Sequence, residues 1–183
     1  MNQTQIAFIG GGNMAYALVG GLLSKGWDGG SITITDPSEA ALERLSELNS
    51  DLHLTSDNIE AVKNADVVVL ATKPQVLKSV AQPLAPVLAE KKPLIISIAA
   101  GLLERDINRW LGGGLPMVRC MPNTPAVVGL GATGLFANPE VSQVQRQLAE
   151  NLLAAVGVCV WVENEAQLDA VTAVSGSGPA YLF

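Results

Sequence analysis

Strand and helix patterns alternate along the 183 residues, which predicts an α/β fold with a doubly wound, mostly parallel sheet and helices on both faces. Two further observations support that class. First, an apolar strand over Ile6 to Ile9 runs straight into Gly10-Gly11-Gly12, Met14 to Lys25 carries apolar residues at helical spacing, and Ser31 to Thr35 is a β-branched second strand. That is one βαβ unit, and it makes the sheet Rossmann-like. Second, short segments of Gly, Pro and small polar residues recur at the carboxyl ends of the predicted strands, the edge on which open α/β sheets bind ligands.

The remaining elements follow in order. Ser38 to Leu48 reads as a helix, Leu52 to Thr55 as a short extended piece, and Asn58 to Lys63 as a helix. Strands at Asp66 to Ala71 and Leu94 to Ile98 are separated by one helix within Gln75 to Glu90. Arg105 to Leu111 is a short helix, Pro116 to Met121 and Gly131 to Phe136 are strands, Ser142 to Ala155 is a helix and Val158 to Val162 a last strand. There is no internal repeat and no low-complexity linker.

Composition narrows the class further. Hydrophobic residues make up 49% and charged residues 15%, so much of the chain is buried against itself or a partner. A net charge of −6, with no basic patch, argues against nucleic acid or an anionic membrane surface as partner. The N-terminus carries no secretory pattern and no apolar run is long enough for a bilayer, so a cytoplasmic protein is expected. Cys120 and Cys159 read as a reduced pair rather than a disulfide, and His53, the one histidine, reads as a surface residue. No metal site is expected from this set.

Gly10-x-Gly12-x-x-Ala15 carries a specific chemistry. The first glycine permits a tight turn, the second lets the backbone approach a pyrophosphate, and the small alanine lets the helix lie close on the strand. The phosphates then sit on the helix N-terminus, where unpaired N–H groups favour an anion. Asp36-Pro37-Ser38, Ala71-Thr72-Lys73-Pro74, Ala99-Ala100-Gly101 and Arg119-Cys120-Met121-Pro122-Asn123-Thr124-Pro125 fall on the same edge. Each alone is ordinary strand punctuation; together they read as a cleft.

Phe8-Ile9-Gly10-Gly11-Gly12-Asn13-Met14, Ala71-Thr72-Lys73-Pro74-Gln75, Ser97-Ile98-Ala99-Ala100-Gly101, Arg119-Cys120-Met121-Pro122-Asn123-Thr124-Pro125 and Ser175-Gly176-Ser177-Gly178-Pro179-Ala180-Tyr181 resemble pyrroline-5-carboxylate reductase in order and spacing across essentially the whole chain, with Asp36 as the departure. The resemblance implies reduction of 1-pyrroline-5-carboxylate to L-proline, the last step of proline biosynthesis, with hydride from NADPH or NADH. It implies that Gly10, Gly11, Gly12, Asn13 and Met14 hold the pyrophosphate and that Asp36, Pro37 and Ser38 lie beside the adenosine ribose. Asn58 matches an adenosine-side contact. Ala71, Thr72, Lys73 and Pro74, with Ile98, Ala99 and Ala100, line the dinucleotide, and Met121, Asn123 and Thr124 sit by the nicotinamide.

Other readings of these residues stay open. Lys73 is equally a solvated charge, Asn58 a helix cap, and Met121 core filling. An acidic Asp36 suits the ribose hydroxyls of NAD and repels the 2′-phosphate of NADP, whereas the resemblance favours NADP; a turn role ahead of Pro37 is an equal alternative. Arg44 lies nearby on the next helix. Asn123, Ser175 and Ser177 are the expected substrate-side residues, and no side chain stands out as a proton donor.

Residues 1–163 are expected to form the dinucleotide-binding Rossmann domain and residues 164–183 the first helix of a truncated all-helical domain for substrate and dimerisation. A homo-oligomer, dimer or higher, is expected through the apolar stretch from Leu168 to Phe183. Two alternatives remain: a non-catalytic NAD(P)-binding fragment, and a related reductase of the hydroxyacid dehydrogenase type.

Overall fold

The computed structural model describes residues 4–177. All eight strands form one sheet: β1 (Ile6–Ile9), β2 (Ile32–Thr35), β3 (His53–Thr55), β4 (Val67–Leu70), β5 (Leu94–Ser97), β6 (Met117–Met121), β7 (Gly131–Ala137) and β8 (Gly157–Trp161). Their order is β3-β2-β1-β4-β5-β6-β7-β8. Every neighbouring pair is parallel except β6 and β7. From β1 the chain winds outward to β2 and β3, then returns to place β4 on the other flank. β1 is therefore the switch point, and a crevice opens beyond its carboxyl end.

The helices are α1 (Asn13–Ser24), α2 (Glu39–Ser46), α3 (Asn58–Val62), α4 (Pro74–Ala81), α5 (Ala85–Lys91), α6 (Glu104–Trp110), α7 (Gln143–Leu153) and α8 (Gln167–Val171), the last continuing into a wider π-type turn over Thr172–Ser177. One core lies between the sheet and α1 and α7, around Phe8, Val19, Ile34 and Leu152. The other lies under α4, α5 and α6, around Ile9, Leu77, Leu88 and Ile107. The central strands are apolar on both faces for this reason; β4 is buried at every residue. Each such side chain contributes roughly 1.5–3 kcal/mol of burial.

The structure corrects the expected elements in two places. The single helix expected within Gln75 to Glu90 is two helices joined by a 3₁₀ turn at Gln82–Leu84. Pro83 has no N–H to donate and its ring crowds the preceding turn, so the α-helix cannot continue. The extended piece expected from Leu52 is a paired edge strand that begins at His53, which is exposed. Both cysteines are free. Burial pushes the Cys120 thiol far up, and burial with Glu150 nearby raises Cys159 to about 11.

Candidate cofactor site

Beyond the carboxyl ends of β1, β2 and β4 lies a cleft of about 470 Å³, walled by Gly10, Gly12, Asp36, Asn58, Thr72 and Lys73 among others. Its floor is the turn after β1. Gly10 donates its N–H to the Thr35 carbonyl at 2.8 Å and has φ +108°, while a Cβ there would lie 2.7 Å from the Ala71 carbonyl oxygen. Only glycine fits that approach. Gly12 differs: its φ of −68° is ordinary, and nothing lies within 4 Å of where a Cβ would stand. The space beside it belongs to the cleft.

Gly12 caps the twelve-residue helix α1, and neither a side-chain cap nor an acidic residue satisfies the first turn. A helix start that leaves N–H groups free over an open cradle is an anion site. Asn13 accepts from Arg44 Nη1 at 2.9 Å, and the same guanidinium stacks 4.2 Å over the Tyr16 ring. A fixed positive charge thereby stands beside the α1 terminus.

The opposite wall is built by the turn after β2. Asp36 accepts from the Gly11 N–H through Oδ2 at 2.8 Å and from the Ser38 N–H through Oδ1 at 2.9 Å. Ser38 caps α2. Asn58 lines the cleft, and the cap of α3 is its neighbour Asp57, which accepts from Ile59 and Glu60. The Thr35 hydroxyl donates to Asn58 Oδ1. Pro37, Ala71 and Lys73 complete the wall; Lys73 is exposed, and Pro74 begins α4 behind it. Thr72 Oγ1 is buried without a hydrogen-bond partner. Thr35 and Ser56 also line the cleft and were not expected from sequence.

The residues expected at the nicotinamide end lie outside the lining of this cleft, in the segments after β5 and β6. Ala99 is buried after β5. Asn123 Oδ1 accepts from the Ala132 N–H at 2.9 Å and ties the loop after β6 to the start of β7. Met121 lies under the π-type turn: a Cβ on Gly176 would come 3.2 Å from Met121 Cε. Ser175 donates to the Val171 carbonyl at 2.9 Å and lines a separate, mostly apolar hollow of about 330 Å³ between β7, β8 and α8. The side chain of Ser177 and residues 178–183, including Pro179 and Tyr181, lie outside the described residues.

A half-buried ion pair ties β6 to the segment ahead of α8. Arg119 Nη1 lies 2.7 Å from Glu165 Oε1, and the same oxygen accepts the Glu104 N–H at the start of α6. Among the described residues no His, Cys, Asp and Glu cluster could hold a metal, and no helix is long and apolar enough to cross a membrane.

The glycine turn, the uncapped helix and the switch-point cleft define a dinucleotide-binding domain of the Rossmann class. Residues 5–101 match the family model described as NADP oxidoreductase, coenzyme F420-dependent. The chain is 51% identical to the pyrroline-5-carboxylate reductase of Pseudomonas aeruginosa, over all of this chain and 66% of that one. It superposes on the solved structure of a pyrroline-5-carboxylate reductase from Coxiella burnetii with a TM-score of 0.95 at 47% identity, covering 100% of this chain and 67% of that one. The Plasmodium falciparum pyrroline carboxylate reductase with NADP bound gives a TM-score of 0.86 at 29% identity, covering 100% and 66%. The chain belongs to the pyrroline-5-carboxylate reductase family. It spans 66% of the length of the Pseudomonas relative.

Proposed function

We propose that this chain is the cofactor-binding part of an oxidoreductase that reduces 1-pyrroline-5-carboxylate to L-proline with NADPH, and with NADH less well. The observation that carries the reading is the open cradle at Gly12 on the uncapped start of α1, which fits a pyrophosphate. When bound, the dihydronicotinamide supplies the hydride. The N–H groups of Gly12, Asn13 and Met14 hold the pyrophosphate, Asp36 to Ser38 and Asn58 flank the adenosine ribose, and Ile98 to Ala100 with Met121, Asn123 and Thr124 border the nicotinamide end. No side chain is assigned as proton donor; reduction of a protonated imine rests chiefly on distance and face, which a rigid cleft supplies.

NADPH is preferred because the Asp36 carboxylate is committed to two backbone N–H groups of its own turn and Arg44 adds positive charge on the same side. Residues 164–177 begin the segment that carries the substrate side, and the relatives' remaining third supplies the rest of the imine site and the homo-oligomer contacts. The test is NAD(P)H oxidation with 1-pyrroline-5-carboxylate, measured on this chain and on one extended to the relatives' full length. Nucleotide binding by both and turnover by the extended chain support the reading; failure of both nucleotides to bind removes it.

Asp36→Asn tests the cofactor side. The amide keeps an acceptor for one backbone N–H and removes the charge, so the preference for NADPH over NADH should rise by about 1–2 kcal/mol, the size of a unit repulsion across several ångströms near a surface. Titration of both nucleotides by fluorescence checks it. An unchanged ratio makes Asp36 a turn residue alone.

A further inference from the structure

Thr35 is the buried one of the two threonines in β2. Ile32 and Ile34 of β2 enter the apolar core, whereas Thr35, 1% exposed, faces the other way at the strand's last position. Its backbone carbonyl accepts from Gly10 and its side chain borders the cleft beneath Asn58. A buried hydroxyl costs stability unless it is bonded, and a valine would fill the same space without that cost. Among the described residues the only acceptor for this hydroxyl is Asn58 Oδ1.

That bond has a directional consequence. A threonine hydroxyl holds one proton, and here it is given to the amide oxygen, so the carbonyl side of Asn58 turns down onto β2. The amide nitrogen of Asn58, a residue that lines the cleft, then keeps two N–H donors with no protein acceptor among the described residues. The flipped amide would place its N–H₂ against Thr35 and leave the buried hydroxyl proton without an acceptor. The carboxylate across the cleft is turned onto the backbone, its two oxygens accepting from Gly11 and Ser38.

The geometry points to Thr35 as a positioning residue that orients Asn58 as a hydrogen-bond donor to the nucleotide's 2′ oxygens and so sets the preference for NADPH. This rests on the proposed pyridine-nucleotide reading of the cleft. A phosphate at the 2′ position offers anionic acceptors and gains most from a held donor; a 2′-hydroxyl gains less. Thr35 does not itself touch the nucleotide. It acts through the amide.

The experiment is a fluorescence titration of NADPH and NADH into the wild-type protein and into Thr35→Val, Thr35→Ser, Asn58→Ala and the Thr35→Val/Asn58→Ala double variant, with thermal melts of each. Thr35→Val should raise the Kd for NADPH about tenfold and that for NADH no more than about threefold, since a directed charged hydrogen bond is lost only with the former. Thr35→Ser keeps the hydroxyl and should restore wild-type values. Asn58→Ala should reproduce the NADPH loss, and adding Thr35→Val to it should cost nothing more, because the two act as one unit. Equal weakening of both nucleotides by Thr35→Val, failure of Thr35→Ser to restore the ratio, or additive losses in the double variant would each overturn the assignment. If Thr35→Val does not fold, the ratios for Thr35→Ser and Asn58→Ala decide: a wild-type ratio in Asn58→Ala overturns it. Wild-type protein that binds neither nucleotide would sink the underlying cofactor reading instead.

Discussion

Gly12→Val should abolish nucleotide binding while leaving the fold intact. At its φ of −68° any residue is tolerated, and a Cβ would meet no protein atom within 4 Å, so the branched side chain projects only into the cleft. Loss of helix-cap preference costs stability about 1 kcal/mol at most. The phosphate space, by contrast, is filled outright. Affinity for NADPH and NADH should fall by about a hundredfold or more, each factor of ten being about 1.4 kcal/mol. Fluorescence titration beside a thermal melt separates the two effects. Equal affinity in a folded variant would remove the pyrophosphate from this turn, and a collapsed melt would mean the space is structural.

Glu165→Ala should be strongly destabilising. Arg119 has a side chain 7% exposed, its Nε has no partner, and its Nη1 depends on Glu165. Removing the carboxylate leaves a buried guanidinium unpaired and the first N–H of α6 without its acceptor. Breaking one side of a buried pair costs about 3–5 kcal/mol. For a chain of this size that lowers Tm by about 10 °C. Replacing both residues together, with Arg119→Met and Glu165→Leu, should recover much of the loss, since no charge is then stranded. A loss below about 1 kcal/mol in Glu165→Ala would mean that water screens the pair.

Local pattern carried most of the fold. The runs Ile6–Ile9, Val67–Leu70 and Leu94–Ser97 are strands because continuous apolar stretches bounded by Gly, Pro or polar residues bury on both faces of a parallel sheet. The edge segments fell where the strand ends predicted, since strand direction follows from the βαβ repeat. One helix is two because the missing N–H of Pro83 ends the ladder inside an apolar pattern whose periodicity runs on. The reversal of β7 against β6 left no mark in periodicity, for both strands are buried in the sheet and side chains point to alternate faces in either pairing.

What the sequence by itself determined is the α/β class, the order of its elements and the glycine turn, all of which depend on residues near one another in the chain. The tertiary structure alone decided which way the Asp36 carboxylate turns, how Thr35 orients Asn58 across 23 positions, and that Arg119 finds Glu165 across 46. Those are contacts of side chains brought together by sheet order. A hydrogen bond or ion pair of that kind is set by the few ångströms between two segments distant in sequence, and no propensity or spacing along the chain encodes that distance.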